Sequence, residues 1–113
     1  MCVVRNSGGV RAYPTPWGVP VEILAVNTDE HEGSPCVTAD KRTIYFDTDR
    51  DGTYDIYATQ RASTADPFPA PAPVAEVNTD NTSEQDPWIS LDSRRLVFSS
   101  NRSGTNQVWQ ATR

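Results

Sequence analysis

NTDEHEGSPCVTADKRTIYFDTDRDGTYDIYATQR, residues 27–61, is answered by NTDNTSEQDPWISLDSRRLVFSSNRSGTNQVWQATR, residues 78–113. The two stretches carry one pattern. Asn27-Thr28 matches Asn78-Thr79, and Pro35 matches Pro87 after a single inserted residue in the second copy. Asp40, Arg42, Phe46, Arg50 and Gly52 then fall on Asp92, Arg94, Phe98, Arg102 and Gly104. A period of about 50 residues marks a repeat architecture, in which each unit buries its apolar face only against a neighbour.

The pattern starts upstream of Asn27, because PWGVPVEILAVNT (16–28) aligns without a gap on PFPAPAPVAEVNT (67–79), setting Trp17 on Phe68 and Val26 on Val77. Each unit reads as four short strands. In the second copy these are Val74 to Val77, a stretch around Pro87 to Ser90, Arg95 to Ser99, and Asn106 to Ala111, with Val19 to Val26 as the upstream counterpart of the first. Turn residues divide them: Asp40-Lys41 and Asp92-Ser93, then Asp51-Gly52 and Ser103-Gly104. The runs Thr43-Ile44-Tyr45-Phe46 and Leu96-Val97-Phe98 lack strict alternation, which suits strands covered on both faces. No stretch has a helical period. The expected fold is all-β: two four-stranded antiparallel units, stacked as β-propeller blades.

SPCVTADKRTIYFDTDRDGTYDIY and DPWISLDSRRLVFSSNRSGTNQVW also resemble the TolB-like propeller repeat, with its S-P-x-x-S-x-D-G-R start, aliphatic-aromatic-Phe strand, S-D-R-x-G hairpin and D-I-Y strand. The glycine that follows the turn aspartate in that family is Lys41 in one copy and Ser93 in the other. The resemblance implies a six-bladed ring and a periplasmic or extracellular setting. It implies little about chemistry.

The expected division is an N-terminal tail over 1–16, an outer strand plus three strands over 17–61, and the next outer strand plus three strands over 62–113. At 113 residues the core is small. No apolar run is long enough for a membrane span, and no segment reads as a signal peptide. Two cysteines make no disulfide framework, and Cys36, aligned with Trp88, reads as a buried structural thiol. Ten Lys and Arg against fifteen Asp and Glu leave a formal charge of −5, which argues against nucleic acid as partner. Alternating strand directions would gather Asp29, Glu30, Glu32, Asp47, Asp49, Asp51, Asp80, Glu84 and Asp86 on one loop face, and Asp29, Glu30, Glu32, Asp80, Glu84 and Asp86 form its candidate binding set, an acidic surface suited to a basic protein or peptide, or to a glycan. Trp88 joins this candidate binding set as a first-strand aromatic facing the central channel.

Two readings of the loop Asp47-Thr48-Asp49-Arg50-Asp51-Gly52-Thr53-Tyr54-Asp55 stand. Carboxylates at Asp47, Asp49, Asp51 and Asp55 around a central Gly52 have the spacing of an oxygen-ligand loop for Ca²⁺. The second copy offers Ser99, Asn101, Ser103 and Gln107 there, which favours a plain tight hairpin. Arg50 and Arg102 recur at equivalent places and read as structural forks on loop carbonyls or on a carboxylate of the neighbouring blade. His31 is the only histidine and no G-x-S-x-G motif occurs, so catalysis finds little support and no cofactor is expected beyond calcium. The sequence therefore reads as a non-catalytic interaction module, with a calcium-stabilised propeller or a two-blade piece of a larger protein as alternatives. Because the last unit lacks its outer strand while residues 19–26 supply a spare one, self-association by strand exchange is expected, with three copies making six blades.

Overall fold

The computed structural model describes residues 16–113. The expected tail over 1–16 lies outside them except for Pro16, as does Cys2. All regular structure is β: β1 (Glu32–Val37), β2 (Thr43–Thr48), β3 (Asp55–Gln60), β4 (Ala72–Pro73), β5 (Glu84–Ile89), β6 (Arg95–Ser100) and β7 (Gln107–Thr112). They form two antiparallel sheets, one of four strands in the order β1-β2-β3-β4 and one of three in the order β5-β6-β7. No helix occurs among the described residues.

Equivalent residues build equivalent turns. Between β1 and β2 the Lys41 amide donates to the Thr38 carbonyl at 2.9 Å, and the Asp40 carboxylate accepts from the Thr38 hydroxyl at 2.7 Å and from the Arg42 amide at 3.0 Å. Ser93, Ser90, Asp92 and Arg94 repeat this arrangement between β5 and β6. Lys41 and Ser93 keep the left-handed backbone, with φ of 63° and 60°, although neither is the glycine that such a conformation favours. The β2-β3 and β6-β7 hairpins do place glycine there, Gly52 at φ 108° and Gly104 at φ 107°. Both first strands are bulged, between Gly33 and Cys36 in β1 and between Gln85 and Trp88 in β5. The left-handed residue at each bulge, Ser34 or Asp86, stands immediately before a proline.

The outer strands depart from the sequence reading. Val74 to Val77 is a turn, closed by the Val77 amide on the Val74 carbonyl at 3.1 Å, and the strand is the preceding pair Ala72–Pro73. Proline confines this strand to an edge, where its missing N–H costs no ladder bond. Val19 to Val26 forms no strand either: β3 has an outer neighbour, and the described residues give β7 none.

Strand pairing sorts the core. Tyr45 opposite Ala58, and Asp47 opposite Ile56, share one face of the first sheet. That face packs Cys36, Tyr45 and Ile56 against Val77, Ile89, Leu96 and Phe98 around the second sheet, closing the seam between the two. On its other face Ile44, Phe46 and Tyr57 gather Val26 and Phe68. Cys36 is disulfide-linked rather than the thiol expected, and its sulfur accepts the Ile89 amide at 3.4 Å. The far face of the second sheet, with Trp88, Val97 and Val108, has no such cover among the described residues, and Val108 is 77% exposed where its counterpart Ile56 is at 0%.

Candidate functional site

Two of the expected surface acids are interior struts. The Glu84 side chain is fully buried, accepts the Ser100 hydroxyl at 2.7 Å and the Thr82 hydroxyl at 2.8 Å, and lies 3.7 Å from the Arg102 guanidinium. Arg102 continues to the Val77 carbonyl and covers the rings of Phe98 and Trp109. Glu32, Thr48 and Arg50 repeat the motif in the first sheet: Arg50 reaches the Val26 carbonyl at 2.7 Å and Glu32 at 3.3 Å, over Phe46 and Tyr57. Burial alone would raise the Glu32 carboxyl. Bonds from Thr28 and Thr48, with the charge of Arg50, hold it below its ordinary value. Neither glutamate is presented to a partner.

Asp86 ties elements together while remaining exposed. Its carboxylate accepts the Ser34 hydroxyl at 2.9 Å and the Ser99 hydroxyl at 3.4 Å, and its amide donates to buried Asp47 at 2.9 Å, across the seam between sheets. Asp29, Glu30 and Asp80 are exposed.

A concavity of about 520 Å³ opens between the β2-β3 hairpin and the segment entering β5, lined by Asp51, Thr53, Asp55, Asn78, Thr79 and Asp80. Asn78 fixes one wall, because its side-chain amide both accepts the Ile56 N–H at 2.9 Å and donates to the Ile56 carbonyl at 3.0 Å. Burial raises the Asp55 carboxyl above its ordinary value, and the negative charges of Glu84, Asp51 and Asp80 raise it further. The concavity disfavours anions and would favour a cation. Asp51 also accepts the Tyr57 hydroxyl, whose pKa burial and that bond push up to about 12. The sequence reading set Asp51 and Asp80 on one loop face, but it did not add Asp55 to them, because pairing across two units sets that distance.

The four proposed calcium ligands are not brought together. Asp47 serves the Asp86 amide, Asp49 accepts the His31 amide at 3.0 Å, Asp51 holds Tyr57, and Asp55 lies under the negative charge of Glu84. No group of three or more His, Cys, Asp or Glu is placed to hold a metal among the described residues. Trp88 is also apart from the acids. It lines a broad groove of about 700 Å³ with Leu91, Arg94, Arg95 and Arg113, near the opposite turns. His31 is exposed, and among the described residues no helix is long and apolar enough to cross a membrane. No family model matches the chain, and no curated protein matches it.

Proposed function

We propose that the protein is a non-catalytic interaction module, its two sheets acting as successive β-propeller blades, and that the Asp51-Asp55-Asp80 concavity takes a Lys or Arg side chain of a basic peptide or protein. The gathering of Asp51, Asp55 and Asp80 around one opening carries this reading. Clustered acids hold unfavourable charge that an incoming ammonium or guanidinium would offset, and the surrounding Asn78 and Thr79 supply neutral polar walls. A chain of charge −5 also steers basic partners toward itself at low salt. The two buried Glu-Arg networks serve the fold, leaving the exposed carboxylates for recognition.

Titration of the chain with a fluorescent Lys/Arg-rich peptide tests the reading. Asp80→Lys combined with Asp55→Asn should weaken binding at least about tenfold, the scale of one lost charge-assisted contact. Binding should also weaken as added salt shortens the screening length. No binding by the unaltered chain, or equal binding by the double variant, overturns the proposal.

A further inference from the structure

In the first sheet, residues 68–78 show how an outer edge is closed. Pro73 pairs with Tyr57 and Ala72 with Ala58, and Asn78 clamps both backbone groups of Ile56. The Val74 amide adds a bond to the Ile56 carbonyl at 2.9 Å. Phe68 meanwhile lies under the Arg61 guanidinium, 4.0 Å from its ring centre. The same segment then enters the second sheet, where Val77 packs with Leu96 and Phe98. One stretch thus bridges two sheets.

Residues 17–27 carry the same pattern and are half engaged. Val26 packs on Ile44, Phe46 and Tyr57 just as Val77 packs on the second sheet. Trp17 at 95%, Val19 at 88% and Val21 at 85% exposure touch little. Among the described residues the second sheet has the complementary open edge: β7 ends the order β5-β6-β7, with Val108 and Trp109 exposed. Arg113 is set as Arg61 is. Its Nε donates to the Ser93 carbonyl at 2.8 Å, as that of Arg61 does to Lys41 at 3.1 Å.

We propose that residues 17–27 of a second copy close the outer edge of β7. In the register of the first sheet, Glu22 of the incoming segment lies opposite Trp109 and Val21 opposite Gln110. Asn27 clamps the Val108 backbone, and Trp17 stacks beneath Arg113, where an indole is the strongest cation–π acceptor. Val26 of the incoming copy draws its own first sheet over Val108 and Val97, covering that face as the second sheet covers Ile56 and Tyr45. The contact is heterologous, so it propagates head to tail until rotation closes a ring, three copies giving six sheets. Hydrogen bonding of an exposed strand edge by an extended segment needs no other partner. Assembly is independent of whatever the acidic concavity binds.

Light scattering on the full 113-residue chain at micromolar concentration should give the mass of three chains. Asn27→Leu removes a clamp that, within its own copy, bonds only Glu22 among the described residues, and Val108→Asp charges the docking face. Each should return the chain to monomer mass with an unchanged circular dichroism spectrum. Pairing Val21→Cys with Gln110→Cys should yield a 21–110 link between chains under mild oxidation. A monomeric unaltered chain, an oligomer indifferent to both single substitutions, or a 21–110 link formed within one chain overturns the proposal.

Discussion

Lys41 and Ser93 accept a backbone conformation that costs an L-residue about 1 kcal/mol relative to glycine. Lys41→Gly and Ser93→Gly should each raise the unfolding free energy by about that much, read from the urea midpoint, because the turn's hydrogen bonds use the backbone and Asp40 or Asp92. Glu84 is the opposite case. Removing its carboxylate takes the buried counter-charge from Arg102 and an acceptor from the hydroxyls of Ser100 and Thr82, so Glu84→Ala should cost about 3 kcal/mol. Asp55 gives a pH signature. Its folded pKa is raised, so between the unfolded value and the folded one the native state binds more protons, and stability falls as pH rises through that window. Asp55→Asn should therefore stabilise the fold at pH 7 and do so less at pH 3, measured by denaturant titration at both.

At the scale of the strand, β3 and β7 are equivalent in sequence and opposite in environment. β3 is covered by β4 on its edge and by the second sheet on the face of Ile56, while the described residues give β7 neither cover. Amide hydrogen exchange reads this difference, since protection follows burial and pairing. If a second copy completes the sheet, Val108 and Gln110 should be protected like Ile56 and Ala58, and Asn27→Leu should accelerate their exchange alone. β4 shows how little strand is needed for closure: two residues suffice because Asn78 and Val74 supply further bonds to Ile56.

Across the whole molecule, charge separates into buried struts and an exposed surface. The struts join Glu32 to Arg50 and Glu84 to Arg102, and the surface holds Asp51, Asp55 and Asp80 around one opening. Calcium tests that partition. With Asp47 and Asp49 bonded to the amides of Asp86 and His31, and no group of three acids placed to hold a metal among the described residues, the melting curve should be the same in millimolar calcium and in chelator. A bound ligand at a hundredfold excess over its dissociation constant would add about 2.7 kcal/mol, enough to shift the midpoint visibly.

The sequence by itself determined the strand content, the turns at Asp40 and Asp92, the hairpins at Gly52 and Gly104, and the fork role of Arg50 and Arg102. These follow from local backbone preference and from residues recurring at one spacing. It misplaced the outer strand at Val74 to Val77, because β propensity favoured the valines while the edge that Ile56 and Tyr57 offer selected Ala72–Pro73. It also ranked Glu32 and Glu84 with the surface acids, since a carboxylate in a polar loop carries no local mark of burial. Only the tertiary structure decided which acids are struts and which are free, because the guanidinium that claims each glutamate arrives from a hairpin 18 residues downstream.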